Sequence, residues 1–220
     1  MGEPSDSRSV ILDAAERCFA DQGFPATTIK QIAGAAGVNT ALLYYYFSDK
    51  QGLYHAVLDR AFGGLVAEGL RGLEGGPDAA DAVRRFVQAQ SAYMRSRPAL
   101  PRLLVRELVD HRAAHATVGI SHVAATLFAR LCEVIRAGQA EGTFRRDLDP
   151  RLAAISIVSQ VAYWHIARPA IGILLGFDAS GPSPEVTDQF SRHAAEFALA
   201  ALSSDRRSSD RPPLRSEVAR

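Results

Sequence analysis

Residues 27–50 read Thr27-Thr28-Ile29-Lys30-Gln31-Ile32-Ala33-Gly34-Ala35-Ala36-Gly37-Val38-Asn39-Thr40-Ala41-Leu42-Leu43-Tyr44-Tyr45-Tyr46-Phe47-Ser48-Asp49-Lys50. Their punctuation decides the fold. Thr28 with Gln31 three residues on has capping-box spacing, which opens a helix. Gly37 can take the left-handed conformation that ends one, and Asn39 caps a short helix after it. Two short helices joined by a tight glycine turn make a helix-turn-helix. Ile29, Ile32 and Ala33 face the core of that unit. Ala35, Ala36 and Gly37 are small enough for the two helices to cross closely, and Val38 plugs the turn. Leu43 and Phe47, four residues apart, anchor the second helix inward.

The outward set then suits a DNA duplex. Tyr44 to Phe47 are mostly core residues by type, but four consecutive helical positions fan around most of a turn, so at least one must face outward. The expected DNA-contacting residues are Thr28, Lys30, Asn39, Thr40, Ala41, Leu42, Tyr44, Tyr45 and Lys50. Hydroxyls and helix N-terminal amides bind phosphate. Alanine and leucine methyls can touch a thymine methyl. Lys50 sits in the first turn of the following helix, where the dipole disfavours a cation; a phosphate partner would explain it.

Outward from this unit the pattern stays helical, with no strand-type alternation and no internal repeat. Helix 1 is expected from Ser9 to Gln22, ended by Gly23. A fourth helix runs from Ser48 to about Leu73, with Ser48 and Gln51 at capping-box spacing. Glu74-Gly75-Gly76-Pro77 is a linker. Asp78, Asp149-Pro150 and Ser183-Pro184 open later helices as caps, the latter two followed by proline at the first helical position. The reading is all-α with about nine helices. An N-terminal helix-turn-helix domain occupies 1–52, with the 48–73 helix as connector. A second helical domain occupies 53–203, and 204–220 is expected to be a disordered tail.

Composition excludes several classes. The 220 residues carry a formal net charge of +1, so DNA binding must rest on placed contacts rather than a basic field. Around the head, Arg8, Arg17, Lys30, Lys50 and Arg60 are outnumbered by Glu3, Asp6, Asp13, Glu16, Asp21, Asp49 and Asp59. Cys18 and Cys132 have no metal or redox spacing. No signal peptide is visible, and Gln160, His165, Arg168 and Pro169 interrupt the most apolar stretch, 152–177, so no membrane partner is expected. A cytoplasmic location follows. No phosphate loop, nucleophile elbow or metalloprotease motif is present, so the chain is not expected to be an enzyme, and no cofactor is expected.

The run Thr27 to Ala33, then Ala36-Gly37-Val38, then Leu43 to Leu53, resembles the DNA-binding domain of the tetracycline-repressor (TetR) family over about residues 8 to 60. Asn39 replaces the usual serine or threonine after the valine, and Ala41-Leu42 replaces a frequent glycine-threonine pair, so the operator sequence stays open. The resemblance implies an all-helical homodimer that reads a pseudo-palindromic operator in half-sites roughly 34–36 Å apart. It also implies a small-molecule effector bound among the middle helices, and repression as the outcome. The stretch 142–150 looks like the family's lead into its dimerising helices. Residues 152–167 and 186–202 would then form a four-helix bundle with their copies, through Ala154, Ile157, Val158, Val161, Phe190 and Phe197.

The middle region offers Phe62, Phe86, Gln90, Tyr93, Met94, Leu104, Glu107, His111, His122, Leu127 and Trp164 to an apolar or aromatic effector. Trp164 and His165 each need a hydrogen-bond partner if buried. Gly63, Gly64 and Gly69 lie inside the connecting helix, as a hinge or for close packing. Two other readings stand beside this one. Glu107, His111 and His115, at i, i+4 and i+8 with His122 near, could serve a metal-sensing regulator. A helical adaptor without DNA binding is the other.

Overall fold

The structure, a computed structural model of the chain, describes residues 4–177 and 181–204. Local signals set most helix ends. Helix α1 (Pro4–Ala26) kinks at Gly23 (φ 80, ψ 166), where the sequence signals a stop, and adds one more turn. Thr28 Oγ1 accepts the Gln31 amide at 3.2 Å while Gln31 Oε1 accepts the Thr28 amide at 2.8 Å. Both halves of the capping box therefore open α2 (Ile29–Ala36). Gly37 ends it at φ 68. Its amide donates to Gly34 O at 3.2 Å and the Val38 amide to Ala33 O at 3.0 Å, the paired bonds of a Schellman turn. Asn39 Oδ1 accepts the Ala41 amide at 2.9 Å and opens α3 (Thr40–Tyr46).

Helix α4 (Lys50–Leu73) begins later than the Ser48 reading. Asp49 is its cap, with the carboxylate accepting the Gly52 amide at 2.7 Å. An anion there also satisfies the helix dipole. Then come α5 (Ala79–Ser96), α6 (Leu100–Asp110), α7 (Thr117–Val123), α8 (Ala129–Glu141), α9 (Pro150–Ile166), α10 (Arg168–Leu174) and α11 (Pro184–Leu202). A π-turn, Ala124–Phe128, joins α7 and α8 into one helix, Thr117–Glu141. By length and apolar composition that helix would suit a bilayer. It buries Leu131, Cys132, Val134 and Ile135 and packs on α5 and α9 instead. The expected caps Asp78, Asp149 and Ser183 accept the amides of Asp81, Arg151 and Val186.

Two apolar cores organise these helices. The first gathers Ile11, Phe19, Ile32, Leu43, Phe47 and Tyr54 around the head and reaches Leu103 of α6. Full burial of such side chains stabilises by about 1.5–3 kcal/mol each, which is why Leu43 and Phe47 fix the rotation of α3. The second gathers Phe86, Leu131, Ile135, Phe144, Ala154, Ile157 and Ala195. Helix α4 belongs to both, through Val57 and Leu58 at one end and Val66 and Leu73 at the other. Its glycines allow the approach of α5. A Cβ at Gly72 would lie 2.9 Å from Phe86 Cα, and one at Gly64 2.0 Å from the Tyr93 hydroxyl. Gly64 is thus a packing position, while Gly63 meets nothing. At the far end, the Arg145 amide donates to Leu202 O at 2.8 Å and Ser204 Oγ to Gly142 O at 2.8 Å. Ser204 is held there; the rest of the expected tail, 205–220, lies outside the described residues.

Candidate nucleic-acid interface and effector cavity

Burial of Leu43 and Phe47 turns the other side of α3 to solvent. Tyr44 is 57% exposed and Tyr45 79%. Ala41 and Asn39 are exposed, and Thr40 and Leu42 half-buried beside them. Tyr45 meets Tyr46 edge-on at 5.1 Å between ring centroids, which limits how far its ring can swing. Lys30 is exposed on α2 and makes no ion pair among the described residues. Thr28 is exposed as well, though its hydroxyl is taken up with Gln31. Of the nine expected DNA contacts, Thr28, Lys30, Asn39, Ala41, Tyr44 and Tyr45 are thus exposed, and Thr40 and Leu42 half-buried.

Lys50 is the ninth and needs correction. Its ammonium donates to the carbonyls of Phe24 (2.9 Å), Pro25 (3.4 Å) and Thr27 (3.0 Å) and stands 4.5 Å above the Phe24 ring. An ammonium has three donors, and all three are spent inside the protein. The unfavourable placement near a helix N-terminus is offset by carbonyls of the α1–α2 connection, not by phosphate.

The head is tied to the body by arginines. Arg106 of α6 donates to Ala20 O and Asp21 O, both at 2.9 Å, and Arg102 pairs with Asp21 at 2.9 Å. Arg60 and Arg97 converge on Glu16, which is 4% exposed. A carboxylate so buried requires such partners. Sequence periodicity could not reveal these bonds, because each links residues some forty to ninety positions apart.

Beside α6 lies a cavity of about 460 Å³. Leu65, Phe86, Gln90, Met94, Leu104, Leu108, Ile120, Leu127, Ile155, Val158, Val161 and Ile166 are among its walls. Gln90 is the one polar side chain lining it among the described residues, and its Nε2 donates to Leu65 O at 2.7 Å. Five expected effector residues therefore stand at the cavity: Phe86, Gln90, Met94, Leu104 and Leu127. The other six do not, each for a local reason. Phe62 packs on Gly119, where a Cβ would come within 2.3 Å of its ring. Tyr93 donates to Ala61 O at 3.2 Å. Trp164 stacks on Phe190 at 3.9 Å and donates to Thr187 Oγ1 at 3.4 Å. His122 is exposed. Glu107 and His111 belong to a separate cluster with Tyr54 and His115.

Three of the six expected dimer residues, Ala154, Ile157 and Val161, are buried within the chain and need correction, whereas Val158 is 37% exposed. Ala154 and Ile157 are buried in the chain's own core, and Val158 and Val161 line the cavity. Phe190 covers Trp164, whereas Phe197 is 60% exposed. The signal was there: α9 is apolar almost all round, and such a helix serves more than one face. His165, its other buried polar residue, faces Ser91 Oγ at 3.2 Å. Burial, then the nearby Arg168 and Arg95 charges, depress its pKa to about 4. In the separate cluster, burial and then the Glu107 hydrogen bond raise the Tyr54 phenol above its ordinary range, so it stays a donor.

Comparison with known proteins bears on both regions. Residues 11–57 match the family model described as bacterial regulatory proteins, tetR family. Residues 80–197 match that described as tetracyclin repressor-like, C-terminal domain. The chain is 29% identical over 175 residues to the HTH-type transcriptional repressor NicS of Pseudomonas putida, covering 78% of this chain and 82% of that one. It is 30% identical over 166 residues to the HTH-type transcriptional repressor KstR2 of Rhodococcus jostii, covering 68% and 73%. The structure of PfmR, a TetR family transcriptional regulator from Thermus thermophilus, superposes with a TM-score of 0.70 at 25% identity, covering 87% of this chain and 98% of that one.

Proposed function

The chain belongs to the tetR family of bacterial regulatory proteins and is a DNA-binding transcriptional regulator, and we propose that it is a cytoplasmic repressor released from its operator by an uncharged, largely apolar effector. One observation carries this reading. The cavity wall Leu104 and Leu108 and the head-binding Arg102 and Arg106 sit on the same short helix, α6. A molecule that moves α6 moves the end of α1 with it. Such a rigid element, biased by both sites, is the physical content of coupling.

The lining sets the effector's chemistry. Among the described residues no charged side chain lines the cavity, so a carboxylate or ammonium would be stranded without a partner. Gln90 Oε1 can accept one hydrogen bond from a hydroxyl or amide. Residues 1–52 form the reading head in this account, and 53–203 the sensing and pairing body.

Homodimerisation falls to the outward side of α9 and to α11. Leu152, Ser156, Ser159 and Tyr163 are exposed at i, i+4, i+7 and i+11 along α9, with His193 and Phe197 exposed on α11. Two heads give a weakly charged protein its specificity, since each adds base contacts that charge alone does not supply.

The test uses the purified chain and duplexes it selects from a random pool. Selected sites should be pseudo-palindromic, and Tyr44→Ala should abolish their binding with the fold intact. A screen of uncharged apolar and aromatic compounds should then release the DNA, and Leu104→Trp, which fills the cavity, should block that release. A single asymmetric half-site in footprints, or DNA affinity unmoved across the screen, would count against the reading.

A further inference from the structure

Helix α6 stops at Asp110, and the chain reverses through Arg112 (φ 50) and Ala113 (φ 62). Side chains other than glycine rarely adopt that region, and two in succession mark a turn held by its surroundings. The turn carries His115 back over the end of α6. Glu107, His111 and His115 then present ligand atoms that all lie within 4.8 Å of one another.

The carboxylate at the centre is 1% exposed. Glu107 Oε1 accepts the amides of His115 (2.7 Å) and Ala116 (3.1 Å), and Oε2 accepts the Tyr54 hydroxyl at 2.8 Å. These bonds orient an anion without neutralising it, and no arginine or lysine pairs with it among the described residues. His115 Nδ1 lies 3.4 Å from Oε2 and is buried with no hydrogen-bond partner. A neutral imidazole with its lone pair there would face an oxygen lone pair 3.4 Å away. A cation between the two relieves both. The gap has the right size: bonds of about 2.0–2.2 Å to nitrogen and oxygen in a tetrahedron put neighbouring ligands roughly 3.3–3.5 Å apart. His111, half-buried, has its ring 4.8 Å from that of His115 and at 84° to it, so a swing of the ring completes a third bond.

We infer that Glu107, His111 and His115 bind one divalent transition-metal ion of the zinc class, with the fourth position left to water. Two imidazoles and a carboxylate without thiolate suit zinc, nickel or cobalt. Tyr54 holds the carboxylate in place, a role that outer partners of metal ligands commonly fill. It is a residue of α4, and its ring lies 4.9 Å from that of Phe24. Metal binding therefore braces the α6–α7 turn against α4 and the end of α1. The site does not rest on the effector reading.

The experiment uses the untagged full chain, stripped with chelator and titrated with Co²⁺. One equivalent should give the visible absorption of a tetrahedral nitrogen–oxygen site, and Zn²⁺ should bleach it. His111→Ala and His115→Ala should each abolish the band. Tyr54→Phe should weaken Zn²⁺ binding about 10–100-fold while keeping the band, and His122→Ala should change nothing. His111→Ala, whose ring makes no hydrogen bond among the described residues, guards against loss of fold. A natively folded chain that shows no band and binds no Zn²⁺ overturns the inference, and so does stoichiometric binding that survives both His111→Ala and His115→Ala.

Discussion

Lys50 Nζ stands 2.9 Å from the carbonyl oxygen of Phe24 and 4.5 Å from the centroid of the same residue's ring. One cation thus closes the connection between α1 and α2 through its backbone and its aromatic face. Charge-assisted hydrogen bonds contribute about 1.5–3 kcal/mol each at partly buried sites. Lys50→Met should therefore lower the unfolding free energy by an amount in that range, read as a lower denaturant midpoint at unchanged m. The salt dependence of operator binding should keep its slope, because no phosphate contact is lost. A slope shallower by about one unit, with stability unchanged, would return Lys50 to the DNA surface.

Arg106 connects the cavity helix to the head through Ala20 O and Asp21 O. Arg106→Ala should leave operator affinity near its starting value and weaken effector release. Allosteric couplings of ordinary size, about 5–150-fold, leave room for a clear reduction. Anisotropy titrations with and without effector give the ratio directly. An unchanged ratio would remove α6 as the transmitting element.

His165 gives the body a pH dependence of defined sign. Its folded pKa is about 4 against an ordinary 6.5, so the folded chain takes up a proton less readily than the unfolded one. Its contribution is fully present above pH 6.5 and is lost as pH falls towards 4, with no further loss below. Melting temperature should fall between pH 7 and pH 5 more steeply for the natural chain than for His165→Gln. Parallel curves would refute this.

The glycines of α4 divide by environment. Gly63 faces open space, so Gly63→Ala should stabilise by up to about 1 kcal/mol and leave effector release unchanged. Gly72→Ala drives a methyl into the Phe86 backbone and should cost about 1–3 kcal/mol. Thermal melts of the two variants, moving in opposite directions, would show that α4 uses its glycines for packing. Lost effector release in Gly63→Ala would instead support bending at that position.

The helix ends and the identity of the reading helix were legible in the residues because their causes are local. Thr28 finds Gln31 within one turn, Gly37 needs only its own backbone freedom, and Leu43 with Phe47 fixes which side of α3 is buried. Asp49 shows the limit of that legibility: two adjacent residues could each cap α4, and only the chain's path chose between them.

By itself, then, the sequence determined an all-helical chain with a helix-turn-helix whose outer face carries Tyr44 and Tyr45. Only the tertiary structure decided that Lys50 points inward, that Val161 is buried at a cavity wall, and that Trp164 stacks on Phe190. It also brought His115 back to Glu107 across a turn that helical spacing alone would have read as continuous helix. The physical reason is range. A cap or a periodic face is settled within a turn or two of the chain, whereas the partner of a long cationic or aromatic side chain depends on which helices packing brings beside it.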